Sequence, residues 1–190
     1  MKFVIGLGNP GSRYERTRHN IGFDVIAVLR QRYAASKPQQ QFQAEVSDCQ
    51  IAGERVLLIM PQTYMNRSGI SVAQAVRFYR VPTEELLVVC DDMNLPFGQC
   101  RLKPAGTAGG QKGLQDILQH MGTNDVPRLR IGVGRPPANF DAADYVLGRF
   151  SKTEQAQLEE ITSRAADAIE TWTRNGIDLA MSRTNGPQPS

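Results

Sequence analysis

The chain has 190 residues, a length at which one domain can bury a core of its own without a disulfide framework. Hydrophobic residues at 41% and charged residues at 22% match a globular protein, and a net charge of +3 admits an anionic partner while falling well short of a strongly cationic DNA-packaging protein. Cys49, Cys90 and Cys100 are widely spaced and form no C-x-x-C pair, which argues against zinc or thioredoxin-like chemistry and suits free thiols in a reducing cytoplasm. The opening Met1-Lys2 runs straight into an apolar stretch too brief for a signal peptide, and no run approaches the roughly eighteen apolar residues of a membrane span.

Lys2–Leu7 (KFVIGL) predicts a buried strand, closed by the turn formers Gly8-Asn9-Pro10-Gly11. Ser12–Asn20 is polar and aperiodic. From Ile21, apolar residues recur at Val25, Val28, Leu29 and Tyr33, one face of a helix for which Asn20 is the candidate N-cap. Lys37–Gln41 reads as an exposed loop. Alternation in Ala44–Ile51 and the apolar run Val56–Met60, on either side of Ala52-Gly53-Glu54, predict a hairpin, and Ser71–Tyr79 carries helical spacing. Leu86–Cys90 (LLVVC) is a continuous apolar run, hence a central strand that delivers Asp91 and Asp92 just past its end. There follow a strand near Gly98–Leu102, a flexible loop from Pro104 to Gly110, a helix from about Leu114 and a last strand at Leu129–Val133. Thr153–Asn175 predicts one long amphipathic helix stopped by Gly176, and Gly186–Ser190 a loose tail. Alternating strands and helices with one inserted hairpin give the expected fold class, a single-domain α/β sandwich with a mixed, twisted sheet flanked by helices, spanning 1–184 with a flexible tail at 185–190.

Two glycine-rich stretches invite a nucleotide-binding reading, and both fail. Gly6-Leu7-Gly8-Asn9-Pro10-Gly11 has the G-x-G-x-x-G spacing, but in a dinucleotide fold the helix opens inside the motif and an acid follows the second strand. Here the polar run Ser12–Asn20 intervenes, and Ala44–Ile51 has no terminal acid in the expected place. Gly106-Thr-Ala-Gly-Gly-Gln-Lys-Gly lacks the Ser or Thr after Lys112 that would hold magnesium, although its backbone N–H groups remain available to a phosphate.

The residues suited to chemistry are few. One of only two histidines, His19, lies in Arg16-Thr17-Arg18-His19-Asn20 just before a helix, where the helix N-terminus and two arginines favour the neutral imidazole, a proton acceptor. Asp91 is the carboxylate best placed to orient such a base. Asn9 serves either the tight turn or the site, and Asn66 either caps a helix or contacts a ligand. Asp91-Asp92 lacks a nearby third acidic ligand, so no metal is expected. Cys90 reads as core, and His120, before Gly122, as a structural residue at a helix C-terminus.

Taken in order, Val4-Ile-Gly-Leu-Gly-Asn-Pro-Gly, Thr17-Arg-His-Asn-Ile-Gly, Thr63-Tyr-Met-Asn-Arg-Ser-Gly and Asp91-Asp-Met-Asn-Leu-Pro-Phe-Gly resemble the bacterial peptidyl-tRNA hydrolase family. The resemblance continues through Gly109-Gly-Gln-Lys-Gly-Leu and Arg128-Leu-Arg-Ile-Gly-Val-Gly to Asp144-Tyr-Val-Leu-Gly, most of the chain. It implies a monomeric, cytoplasmic α/β esterase without metal or organic cofactor, whose partner is peptidyl-tRNA, held by the acceptor arm and 3′ end, and which releases the peptide from the terminal ribose. Carried over by position, it implies His19 as base, Asp91 as its partner, and Asn9 and Asn66 as groups that position substrate, with Asn66 preferred on the oxyanion side. Tyr14, Tyr64 and Met65 would contact the substrate, and Arg101, Lys103, Lys112, Arg128 and Arg130 would supply cations to tRNA phosphates. The sequence departs from the family where the glycine loop commonly reads Gly-Gly-His-Asn-Gly and this chain has Gly109-Gly110-Gln111-Lys112-Gly113. Gln111 can hydrogen-bond but cannot act as acid or base, and Lys112 brings a charge, which implies an altered substrate clamp around an intact hydrolytic centre. A non-catalytic RNA-binding relative of the same fold is the alternative, against which the retained His19 and Asp91 speak.

Overall fold

The computed structural model describes residues 1–186. In chain order the strands are β1 (Lys2–Gly6), β2 (Gln39–Gln41), β3 (Ala44–Ile51), β4 (Glu54–Pro61), β5 (Leu86–Asp92), β6 (Cys100–Lys103) and β7 (Arg128–Gly132), and they form one sheet in the order β2-β3-β4-β1-β5-β7-β6. The helices are α1 (Ile21–Arg32), α2 (Ser68–Tyr79), α3 (Lys112–Met121), α4 (Ala142–Leu147), α5 (Lys152–Gln155), α6 (Leu158–Asn175) and α7 (Ile177–Thr184). β4, β1, β5 and β7 are parallel, while β2, β3 and β6 run antiparallel to their neighbours. The fold is thus the expected mixed sheet between helices.

The four parallel strands are buried on both faces, as a parallel sheet covered by crossovers must be. Phe3, Ile5, Leu57, Ile59 and Val88 pack with Val72 and Ala75 of α2 and Leu114 and Ile117 of α3. Val4, Leu58, Leu87 and Val89 face the other way, against Val25 and Leu29 of α1 and Ile169 and Trp172 of α6. α1 comes unusually close to the sheet. A Cβ on Gly22 would lie 2.4 Å from the Leu7 backbone nitrogen and 2.6 Å from the Val89 carbonyl oxygen, and one on Gly6 would lie 2.4 Å from the Gly22 carbonyl oxygen. Gly6, the first glycine of the apparent nucleotide motif, therefore serves helix packing.

Several boundaries depart from the sequence expectation. Gln39–Gln41, expected as loop, adds an exposed edge strand to β3, because its backbone finds ladder partners although its side chains bury nothing. α2 starts three residues before Ser71, at Ser68, and its Gly69 N–H is received by the Asp116 carboxylate from α3 at 2.7 Å. The long helix expected over Thr153–Asn175 is two. Ser151 and Glu154 form a capping box that starts α5, none of whose residues is buried, and α6 begins only at Leu158, the first apolar residue of the stripe. Gly176, at φ 84°, ends α6 as expected but also leads into α7. Asn185, placed in the tail by the sequence, pairs its amide with the Leu102 N–H and C=O of the edge strand at 2.8 and 2.9 Å. Residues 187–190 lie outside those described.

Because backbone rather than flexible side chain meets the added methyl, Gly22→Ala is expected to lower unfolding free energy by about 1–3 kcal/mol. Denaturant unfolding measures it, and an unchanged midpoint would show that α1 can lift from β1 without cost.

Candidate active site

The chain passes from β4 to β5 across β1, so the strand order reverses at β1 and a crevice opens at the carboxyl ends of these three strands. Asn9 follows β1, Tyr64, Met65 and Asn66 follow β4, and Asp91 and Asp92 end β5. Asp91 and Asp92 lie within the strand rather than beyond it, and both are buried. Alternation points them to opposite faces of the sheet, with Asp91 on the row of Leu87 and Val89 toward α1 and Asp92 on the row of Cys90.

His19 sits in a 3-10 turn, Arg18–Asn20, that runs directly into α1. Its Nδ1 lies 3.0 Å from both oxygens of Asp91, with 13% of the His19 side chain and 4% of the Asp91 side chain exposed. A nitrogen facing an ionised carboxylate carries the proton, so Nε2 is left with the lone pair. Nε2 has no hydrogen-bond partner among the described residues, and His19 lines a cleft of about 540 Å³.

Asn20, expected to cap α1, makes no cap. Its Oδ1 accepts the Asn9 N–H at 2.9 Å and its Nδ2 donates to the Asn9 carbonyl at 3.0 Å. Asn9 in turn receives the Met65 N–H on Oδ1 at 2.7 Å. That bond fixes the amide and leaves Nδ2 as an oriented donor at the cleft wall. Asn66 also lines the cleft but is exposed and forms no side-chain cap. Tyr64 is 60% exposed at the rim, and Met65 is buried beside it.

Gln111, expected as part of a substrate clamp, has both ends of its amide engaged inside the protein. Oε1 accepts the Leu114 N–H at 2.7 Å, capping α3, and Nε2 donates to Asp91 Oδ1 at 3.1 Å. Lys112 beside it is exposed at the cleft.

The expected cations divide. Arg128, with 0% exposure, cannot reach a phosphate: it donates to the carbonyls of Gly106, Thr107, Asn124 and Val126 and so pins the glycine-rich loop. Burial lowers its basicity. Arg130 borders the cleft but pairs with Asp92 at 3.1 Å and with the Thr107 carbonyl at 2.8 Å. Arg101 and Lys103 stand opposite Arg130 and Arg128 in the β6–β7 register, Arg101 half-buried and Lys103 exposed, outside the cleft. Tyr14 is not brought to the cleft, and its ring lies beside Arg13. Arg18, counted on to act on the His19 charge, points away to Glu154, 2.9 Å distant, and to the Arg149 carbonyl.

Sequence reasoning missed the far wall. Met93 and Asn94 after β5 and Asp141, Ala142, Val146 and Leu147 around α4 complete the cleft. Asp141 was a readable signal, since its carboxylate caps α4 by accepting the Asp144 N–H. A wider cavity of about 680 Å³ lies beyond the Gly109-Gly110 turn, but no titratable side chain lines it.

These groups suit water-mediated acyl chemistry. A base with an orienting carboxylate and amide donors share one cleft, whereas burial pushes the Cys90 thiol up to about 12 and those of Cys49 and Cys100 up to about 11, which removes them as nucleophiles. Among the described residues no three His, Cys, Asp or Glu side chains form a metal-ligand group, and no helix is long and apolar enough to cross a membrane.

Comparison with known proteins agrees with that chemistry. Residues 3–190 match the family model described as peptidyl-tRNA hydrolase. The chain is 51% identical over 185 residues to the peptidyl-tRNA hydrolase of Rhodopirellula baltica, covering 97% of each chain. It is 50% identical over 190 residues to that of Roseiflexus castenholzii, covering 100% of this chain and 89% of the relative. The crystal structure of peptidyl-tRNA hydrolase from Acinetobacter baumannii superposes with a TM-score of 0.92 at 36% identity, over 100% of this chain and 97% of that one. By sequence across nearly its whole length and by fold, the chain belongs to the peptidyl-tRNA hydrolase family.

Proposed function

We propose that the chain hydrolyses the ester between a peptide and the 3′-terminal ribose of tRNA, with His19 as general base. The observation that carries this mechanism is the His19–Asp91 pair at 3.0 Å with Nε2 open to the cleft. Nε2 takes a proton from water as its oxygen attacks the ester carbonyl. Asp91 stabilises the imidazolium that forms, and the tetrahedral intermediate collapses as His19 returns the proton to the departing ribose oxygen. Charge gathers on the former carbonyl oxygen. Asn9 is the better oxyanion donor of the two asparagines because its amide is already fixed by Met65, and a preorganised donor costs no rearrangement in the transition state. Asn66, exposed and free to turn, suits the peptide backbone, where an amide can both donate and accept. This reverses the preference drawn from the sequence.

Tyr64 and Met65 on one wall and Val146 and Leu147 on the other give the peptide an apolar channel without a deep side-chain pocket, which suits an enzyme that must accept many sequences. Lys112 at the cleft, with Arg101 and Lys103 on the edge strand, supplies phosphate contacts to the acceptor arm. Arg128 is withdrawn from that set. The enzyme acts as a cytoplasmic monomer and recycles tRNA stranded by ribosomal drop-off. A purely RNA-binding role leaves the open Nε2 and the oriented Asn9 donor without a purpose.

Single-turnover release of the acyl group from N-blocked aminoacyl-tRNA tests this. His19→Ala is expected to lose about 10²–10⁴-fold in rate, and Asp91→Asn to lose kcat with KM little changed. Equal release by wild type and His19→Ala would sink the mechanism. Replacing Lys103 and Lys112 together by Ala is expected to weaken tRNA binding and flatten its salt dependence by about two counterion contacts. An unchanged salt slope would remove these lysines from the tRNA contact.

A further inference from the structure

Two side chains meet the carboxylate of Asp91 with hydrogen bonds among the described residues, and His19 is only one of them. The other, Gln111, is 8% exposed, and its amide is held at both ends. A half-turn of that amide would set Oε1 against the carboxylate and Nε2 against the Leu114 N–H, replacing two attractive contacts by two repulsive ones. Its partners therefore dictate its orientation. The Met65 sulfur, 3.3 Å from Nε2, closes the remaining side.

We propose that Gln111 is a positioning residue for the hydrolysis: it holds the Asp91 carboxylate toward His19 Nδ1 with a donor that does not titrate, and ties that orientation to the first turn of α3. The proposal rests on His19 acting as the base. Without Gln111, Oδ1 of Asp91 loses its second donor, and the carboxylate is free to rotate away from the line that orients the imidazole. A charge-assisted hydrogen bond to a buried carboxylate is among the stronger neutral-to-ion contacts, so the effect should be visible in turnover. It also has a signature in pH. An imidazole at this position would put a second titratable group next to Asp91. An amide adds no such step, so the acid limb of kcat/KM in this chain should follow a single group.

The experiment compares wild type with Gln111→Met, Gln111→Glu and Gln111→His on N-blocked aminoacyl-tRNA, recording kcat, KM, the acid limb and the melting temperature. Gln111→Met keeps the volume but loses both hydrogen bonds, and kcat should fall about 10-fold or more with KM little changed. Gln111→Glu keeps an acceptor for the α3 cap but sets a second carboxylate against Asp91, so the melting temperature should fall, and the added negative charge favours the imidazolium and moves the acid limb to higher pH. Gln111→His can donate through one ring nitrogen and cap through the other, so it should recover much of the kcat lost in Gln111→Met and steepen the acid limb by a second proton. Gln111 would be only a helix cap if Gln111→Met melted earlier with wild-type kcat and acid limb, or if Gln111→Glu left the acid limb in place. A wild-type chain that released no acyl group would overturn the catalytic assignment and this proposal together, and is seen before any Gln111 variant is measured.

Discussion

Between β1 and α1 there is no room for a methyl group. Gly6 and Gly22 bring the helix backbone directly onto the strand backbone, so that the Gly22 carbonyl fills the place where a Gly6 side chain would stand. The distance between His19 and Asp91 follows from this contact. The turn carrying His19 is continuous with α1, and Asp91 ends the neighbouring strand β5, so the depth at which α1 seats sets how close Nδ1 comes to the carboxylate. A layer of side chains between helix and sheet would hold the two groups apart. The glycines thus act on the chemistry through geometry.

Around that contact, several polar groups at the cleft are held by hydrogen bonds within the protein. Asn20 holds the Asn9 backbone by both its N–H and C=O, and Met65 holds the Asn9 side chain through one backbone N–H. Leu114 and Asp91 together fix Gln111. Arg128 and Arg130 bind the carbonyls of the loop that leads to Gln111, and Asp92 fixes Arg130. Two adjacent acids therefore make separate contacts on opposite faces of one strand: Asp91 meets His19 and Gln111, and Asp92 anchors the arginine beneath the loop. Among the polar groups left uncommitted at the cleft are the Nε2 of His19, the Nδ2 of Asn9 and the amide of Asn66, the three that the proposed reaction uses.

Much of this was legible in the sequence because strands and helices here follow simple periodicity. LLVVC was readable as a buried central strand, and the α/β order followed from alternation. The His19–Asp91 pairing was inferable because few titratable residues compete. What periodicity could not show was which polar residues turn inward. Arg128 and Arg130 look alike in sequence and lie two positions apart, yet one is sealed under a loop by four carbonyls and the other borders the cleft, since loop path and not residue type decides. Asn20 in a helix-start position reads as a cap, but a long-range partner, Asn9, wins its amide. Gln111 reads as a substitution in a substrate clamp, while its position before α3 makes it a cap whose spare donor meets Asp91. The short α4, which builds the far wall, has too few residues for a helical period to declare itself.

If Asp91 orients His19 as a base, the resting imidazole must keep its proton on Nδ1 and leave Nε2 bare. The chain has two histidines, so nitrogen-15 NMR of the imidazole rings, with a His120→Gln variant to assign them, reads the tautomer of His19 directly. The expected result for the neutral ring is a protonated Nδ1 with an unprotonated Nε2, lost in Asp91→Asn. A His19 ring protonated on Nε2 in the wild-type chain would point its lone pair at a carboxylate and leave nothing to accept a proton from water, and would contradict the assignment of His19 as the base.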